Sequence, residues 1–242
     1  MKVTIQLLAC MLLLQYSAFA QPGKGFALIE LFTSEGCSSC PPADRLAAAT
    51  IKEYEGQNVY VLAYHVDYWN RLGWKDVYSA REWSARQEHY SNILGLSSVY
   101  TPQAIVNGRT EFTGSDSRKL HAAINSGLGV ASQNGILLNA VVQNQHIAIT
   151  YSISGNIHSK QLQVALVQKN TTSNVKAGEN VGSVLKHVNV VRVLKTITAT
   201  AQTDHVTIDL PTGLSAADCA IIAFLQSADG SINAATAVYQ LK

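Results

Sequence analysis

Two cysteines at positions 37 and 40 form a C-x-x-C motif that limits the local structure around it. Cys37 and Cys40 lie in the stretch T-S-E-G-C-S-S-C-P-P-A-D, residues 33–44, between an apolar segment and an alanine- and leucine-rich run. This order predicts a buried strand, a tight turn and a helix that begins at the second cysteine. A thiol at a helix N-terminus faces unpaired N–H groups and the positive end of the helix dipole, which lower a cysteine pKa from about 8.5 toward roughly 3.5–7.5. The stretch therefore indicates a redox-active dithiol, although metal sites use the same spacing.

Two predicted parallel strands, residues 25–33 and 58–66, flank this helix and make a βαβ unit. Ligands of such sheets bind beyond the carboxyl ends of the strands, where Cys37 and His65 fall. Glu30 interrupts the first strand, and two interpretations are open. It is either a carboxylate that points to solvent or a partly buried carboxylate behind the cysteines. In the second interpretation Glu30 and His65 are candidate proton relays for the dithiol.

An aromatic loop and a proline-led hairpin follow the second strand. Trp69 and Trp74 either line a substrate groove or only cover the sheet. After a further helix, Thr101-Pro102 precedes a short strand, an Asn-Gly turn and a return strand, and a last helix closes the first half.

This order of elements is that of the thioredoxin fold, and V-Y-T-P-Q-A-I-V-N-G at 99–108 resembles the cis-proline loop of that family. The resemblance implies a cis bond before Pro102, beside the C-x-x-C turn. Because proline has no N–H, the backbone of Thr101 is left free to pair with an extended substrate chain. Thr101, Trp69 and Trp74 are therefore the candidate substrate-binding residues.

Three longer stretches resemble an uncharacterised family of secreted proteins with a thioredoxin-like domain. They are S-E-G-C-S-S-C-P-P-A-D, H-V-D-Y-W and, at 178–192, G-E-N-V-G-S-V-L-K-H-V-N-V-V-R. The resemblance covers nearly the whole mature chain and implies that Cys37 and Cys40 are the redox cysteines and Pro102 the cis-proline. The chain departs from thioredoxins in having Gly36 where an aromatic residue usually precedes the first cysteine, and in a long insertion before Pro102.

The second half of the chain has a different pattern of residues, which predicts strands. Seven strand-like segments follow residue 135 with no helix between them, joined by short turns and one long connection at 169–182. They predict a small antiparallel sandwich. The expected fold class is thus α/β, a thioredoxin-like domain followed by an all-β antiparallel sandwich-like domain. His187, in the third resembling stretch, is either a structural hydrogen-bonding residue or part of a segment that leans over Cys37.

The N-terminus indicates export. Residues 1–20 have a lysine, an apolar run and an Ala-Phe-Ala end, the pattern of a secretory signal peptide. The expected domains are then the signal peptide at 1–20, the thioredoxin-like domain at 21–132 and the sandwich-like domain at 133–242. Secretion or a periplasmic location implies an oxidising compartment. Of the three cysteines left after cleavage, Cys219 opens an apolar run and is expected to be buried and inert.

These patterns favour an exported thiol–disulfide oxidoreductase. Cys37 is expected to be the more exposed nucleophile and Cys40 the resolving cysteine, with protein or small-molecule thiols and disulfides as partners and no cofactor. One alternative is a soft-metal protein that handles Cu(I) with both thiolates and His65. Another is a non-catalytic binding module with a structural disulfide. A net charge of +2 without a basic cluster predicts no nucleic-acid partner, and no segment after residue 20 predicts a membrane span.

Overall fold

The structure of the chain is a computed structural model that describes residues 23–241. The predicted signal peptide lies outside the described residues. In chain order the strands and α-helices are β1 (Ala27–Thr33), α1 (Pro41–Glu53), β2 (Val59–His65), α2 (Arg81–Leu94), β3 (Gln103–Val106), β4 (Thr110–Thr113), α3 (Ser117–Leu128), β5 (Gly135–Gln143), β6 (His146–Ser154), β7 (Lys160–Asn174), β8 (Val184–Thr198), β9 (Thr203–Asp209), β10 (Cys219–Ser227) and β11 (Ile232–Val238).

Eight strands form one mixed sheet in the order β11-β10-β7-β8-β2-β1-β3-β4. β1 and β2 are parallel, and β3 and β4 extend their side of the sheet in antiparallel pairing. On the other side β8, β7, β10 and β11 are antiparallel to one another. The two groups meet where β8 runs parallel to β2, with Ala63 opposite Val190. The side chain of Asn189 supports this contact by donating to the carbonyl oxygen of Val61 at 3.0 Å.

The predicted fold class, a thioredoxin-like α/β domain followed by a separate antiparallel sandwich, is wrong. The fold is mostly β, with 44% strand and 21% helix, and the large sheet takes strands from both halves of the chain. A second contact joins the halves at the Asn-Gly turn, where the carbonyl oxygen of Asn107 accepts from the N–H of Ile232 at 3.1 Å. The physical reason is that β8 and its neighbours extend the edge of β2 instead of closing a sheet pair of their own. The domain bounds at 21–132 and 133–242 stay a prediction.

The seven strands predicted in the second half are present, but only β5, β6 and β9 form a separate sheet. Ile147, Ile149 and Ile153 alternate along β6 and are buried, as their spacing predicts. They pack against the large sheet, in one apolar cluster with Leu166 and Ile221. The small sheet therefore covers one face of the β7–β10 part of the large sheet.

The hairpin of β7 and β8 is longer than the sequence predicts. Residues 169–182 were expected to be a connection, yet β7 continues to Asn174 and pairs with β8 back to Val184. Only residues 175–183 form its irregular tip. The polar run Thr171-Thr172-Ser173 lacks the apolar pattern of a strand because this arm projects past the core of the sheet. The projection carries the tip to the carboxyl end of β1, where the C-x-x-C turn begins.

A buried ion pair fixes α2 on the sheet. Glu30 is fully buried on β1, which excludes the solvent-facing interpretation of this residue. Arg86 of α2 donates to both of its carboxylate oxygens, at 2.5 and 3.0 Å, and Tyr90 donates to one of them. Gln226 of β10 donates to the Tyr90 hydroxyl at 2.8 Å, so the network also ties the second half of the chain to α2.

Replacing Arg86 with methionine is expected to lower the free energy of unfolding by about 3–5 kcal/mol, because the Glu30 carboxylate stays buried without its partner. Urea unfolding followed by circular dichroism measures the change. Arg109→Met is the matched control, since Arg109 and Asp229 form an ion pair at 3.6 Å in which both side chains are mostly exposed. Equal free energies of unfolding for the two variants would contradict a stabilising role of the buried Glu30 network.

Candidate functional site

The two cysteines of the C-x-x-C turn form a disulfide at the start of α1. Cys37 and Cys40 are bonded, with their Cα atoms 5.4 Å apart. Cys40 is the N-cap residue of α1, and its carbonyl oxygen accepts from the N–H groups of Ala43 and Asp44. The expectation that Cys37 is the more exposed cysteine is wrong, because both residues are fully buried while Ser38 and Ser39 between them are exposed.

The proline loop lies directly beside this turn. The Thr101–Pro102 peptide bond is cis, as predicted. The hydroxyl of Ser39 lies 3.3 Å from Sγ of Cys37 and donates to the carbonyl oxygen of Thr101 at 3.4 Å. One serine side chain therefore connects the disulfide to the cis-proline loop.

The two tryptophans predicted to bind substrate take different positions. Trp69 donates through Nε1 to Oγ1 of Thr101 at 2.8 Å, so it lines the proline loop. A Cβ at Gly36 would lie 3.0 Å from Cβ of Trp69, which explains why glycine precedes the first cysteine here. Trp74 instead donates to Oε2 of Glu35 at 2.7 Å, and its Cβ would lie 3.2 Å from a Cβ at Gly178. Trp74 is therefore a support for the turn, packed beneath the β7–β8 tip.

A pair of buried histidines lies behind the disulfide turn. His65, at the end of β2, is fully buried and its Nδ1 is 2.7 Å from Oδ2 of Asp76. The same oxygen accepts from the N–H of Glu35 at 2.9 Å. Burial would raise the pKa of Asp76, but His65 and the N–H groups of Glu35 and Tyr78 outweigh it and lower the pKa. The ring of His65 packs edge-on against His187, with the ring centroids 4.7 Å apart.

His187, on β8, lies between two carboxylates that flank the C-x-x-C motif. Its Nε2 is 3.4 Å from Oε1 of Glu35, and its Nδ1 is 3.5 Å from Oδ2 of Asp44. These are charge–charge contacts, because neither ring nitrogen has a hydrogen-bond partner among the described residues. Burial lowers the pKa of His187, but Asp44 and Glu35 outweigh it and raise the pKa to about 9. Of the two interpretations of His187, the structure agrees with the one in which its segment lies against the turn, through Glu35 and Asp44.

The tip of the β7–β8 hairpin, residues 175–183, lies on the same turn. Asn180 donates through Nδ2 to the carbonyl oxygens of Glu35 and Cys37, both at 2.9 Å. The carboxylate of Glu179 accepts from the N–H of Ser38 at 3.1 Å, and hydrogen bonding from Ser38 lowers the pKa of Glu179. The tip therefore binds the backbone of the disulfide turn at three points.

Some predicted site residues do not meet at the disulfide. Glu30 is on the α2 face of the sheet, held by Arg86 and Tyr90, and its described hydrogen bonds lead away from the cysteines. Cys219 is buried at the start of β10, as expected. Within residues 23–241, no group of three or more His, Cys, Asp or Glu residues is arranged to hold a metal ion, and no helix is long and apolar enough to cross a membrane.

Several residues of the site were not predicted from the sequence. They are Glu35, Asp44, Asp76, Glu179 and Asn180. Glu35 and Asp44 both stand inside the stretch that carries the C-x-x-C, and Glu179 and Asn180 stand inside the 178–192 stretch. The concentration of polar residues in these stretches was therefore the available signal. Asp76 lies in the long insertion before Pro102, outside these stretches, and no sequence pattern marked it as a site residue.

The fold combines a mixed sheet with a C-x-x-C disulfide at a helix start, a cis-proline loop and a hairpin that covers the disulfide turn. The family model described as "Protein of unknown function (DUF1223)" matches residues 28–226, and the chain belongs to this family. No match was found among curated proteins.

Two solved structures share the architecture over most of the chain. A crystal structure of a structural-genomics target from Agrobacterium tumefaciens is 29% identical, with a TM-score of 0.69, and the similarity covers 89% of this chain and 96% of that one. HBP35 of Porphyromonas gingivalis is 16% identical, with a TM-score of 0.64, covering 90% of this chain and 76% of that one. At 16% identity the second similarity shows the fold alone.

Replacing Asn180 with alanine removes both hydrogen bonds between the hairpin tip and the turn. Because each such bond contributes about 0.5–1.5 kcal/mol, reduction of the Cys37–Cys40 disulfide by dithiothreitol is expected to be roughly tenfold faster. Stopped-flow mixing followed by acid quench and thiol counting measures the rate. Asn174→Ala is the matched control, an exposed position on the same hairpin. A rate equal to that of the unmodified protein would show that the tip does not restrict access.

Proposed function

We propose that this protein is an exported thiol–disulfide oxidoreductase that acts through Cys37 and Cys40. The observation that carries the proposal is the position of the disulfide, at the first turn of α1 and connected through Ser39 to the cis Thr101–Pro102 loop. Helix N-termini stabilise thiolates, which are the species that exchange.

The small ring that this disulfide closes argues against a purely structural role. Its cysteines are three positions apart. In the chain-entropy model, closing a loop of about four residues stabilises a protein by about 2 kcal/mol, against about 4.7 kcal/mol for 100 residues. The chain also has extensive apolar cores on both faces of its large sheet, so it does not depend on a short covalent staple. A role in thiol–disulfide exchange therefore explains this disulfide better than a role in stabilising the fold.

The exchange follows from the position of the two sulfurs. A substrate thiolate attacks Sγ of Cys37, the sulfur that lies 3.3 Å from the hydroxyl of the exposed Ser39. The S–S bond to Cys40 breaks, and the electron pair stays on Sγ of Cys40 as a thiolate. The product is a mixed disulfide between Cys37 and the substrate. Attack by the Cys40 thiolate on Cys37 reverses the step, while attack by a second substrate thiol on the substrate sulfur completes reduction of the protein.

The substrate would approach over Ser38 and Ser39, the exposed residues of the turn. Thr101 and Trp69 stand on one side of this approach, where an extended chain can pair with the backbone of Thr101. Glu179 and Asn180 stand on the other side and must move away from the turn. Export to an oxidising compartment, which the first 20 residues predict, would keep the pair available as a disulfide.

Replacing Cys40 with serine should trap substrates on Cys37 as mixed disulfides, because the resolving thiol is gone. The variant is expressed with its leader, and disulfide-linked partners are identified from non-reducing gels by mass spectrometry. Cys37→Ser is the matched control and should trap at least about tenfold less.

A Cys219→Ser background keeps the third thiol out of the experiment. Cys219 is buried, and burial together with the nearby Asp218 carboxylate raises the pKa of its thiol, so its loss should change nothing. Equal trapping by the Cys37 and Cys40 variants would contradict the assigned roles.

A further inference from the structure

His187 links the two segments on either side of the C-x-x-C motif. Glu35 lies two positions before Cys37, and Asp44 lies in the first turn of the helix that Cys40 begins. The imidazole contacts both carboxylates, at 3.4 and 3.5 Å. It comes from β8, more than 140 positions later in the chain. One imidazole ring thus contacts a residue on each side of the C-x-x-C motif.

Each of the two carboxylates has one neutral side-chain donor besides this ring, since Trp74 donates to Oε2 of Glu35 and Thr33 donates to Oδ1 of Asp44. His187 is almost fully buried, as are Glu35 and Asp44. Oε1 of Glu35 has no hydrogen-bond partner among the described residues, so the imidazole is the group that faces it. A negative charge in an apolar interior is costly unless a positive charge is close to it.

We propose that His187 is a positioning residue for exchange at Cys37–Cys40, whose imidazolium offsets the Glu35 and Asp44 charges so that the turn can hold a thiolate. The inference rests on the proposed function. When the disulfide opens, a sulfur gains a negative charge beside a turn that already carries these two carboxylates. Without a cation between them, like-charge repulsion would oppose the thiolate.

The groups that face His187 come from every element packed against it. They are Glu35 in the turn after β1, Asp44 of α1, His65 of β2 with its partner Asp76, and Tyr78, whose ring centroid is 5.9 Å away. Burial opposes the charge on His187, but the carboxylates raise its pKa to about 9. The folded-state pKa is therefore above the ordinary value of about 6.5. The stabilising charge is fully present below about pH 6.5 and is lost as the pH rises through about 9.

The test is the pH dependence of alkylation of Cys37 in the reduced, folded protein, read by mass spectrometry with iodoacetamide as the probe. His187→Gln should move the midpoint of the Cys37 profile to higher pH and slow alkylation at pH 7 about tenfold, which corresponds to one pKa unit. Glu35→Gln should move the midpoint in the opposite direction, because it removes a negative charge. The double variant H187Q/E35Q should return toward the unmodified profile, a rescue that a merely structural role would not give.

His146→Gln is the matched control. Its imidazole pairs with Asp209 at 2.7 Å on the exposed side of the small sheet, so the Cys37 profile should not move. An unchanged profile in H187Q, or shifts of the same sign in H187Q and E35Q, would overturn the role of His187. If the H187Q variant does not fold, the E35Q variant is the test. A Cys37 alkylation profile in E35Q that is unchanged, or that moves to higher pH, would overturn the role of His187. A Cys37 that is unreactive at every pH in the unmodified protein would instead overturn the proposed function.

Discussion

A parallel contact between β2 and β8 holds the two halves of the chain in one sheet. Ala63 and Val190 are its register pair, and the Asn189 side chain reinforces it. This contact joins the two sets of strands into one sheet. His187 of β8 contacts Glu35 and Asp44 on either side of the C-x-x-C turn, and Asn180 of the hairpin tip donates to the carbonyl oxygen of Cys37. The second half of the chain thereby becomes part of the site.

The consequence is a disulfide that is enclosed on several sides. The cis-proline loop and Trp69 line one side, and Asn180 binds the backbone of the turn from the other. Behind the turn, the two histidines and their carboxylates form a buried charged layer. Such a layer is costly to bury and contributes little net stability compared with apolar packing. Its presence next to a dithiol is physically reasonable where charge at the sulfurs has to be controlled.

Local features of the fold could be predicted from the sequence, and long-range ones could not. The strand–turn–helix around Cys37, the cis bond before Pro102 and the alternation of β6 all depend on residues close together in the chain. The pairing of Ala63 with Val190 joins residues 127 positions apart and has no local pattern, so the shared sheet was missed. The sequence leaves two interpretations of Glu30 open for the same reason, because its partner Arg86 lies on a helix 56 positions later.

The reduction potential of the Cys37–Cys40 pair distinguishes an exchange-active disulfide from a structural one. The folded protein is equilibrated with glutathione or dithiothreitol redox buffers, and the reduced fraction is counted by alkylation and mass spectrometry. An exchange-active pair is expected to have a potential between about −270 and −120 mV, the range of dedicated thiol–disulfide proteins. A potential below about −300 mV, typical of structural disulfides in secreted proteins, would contradict the proposed function.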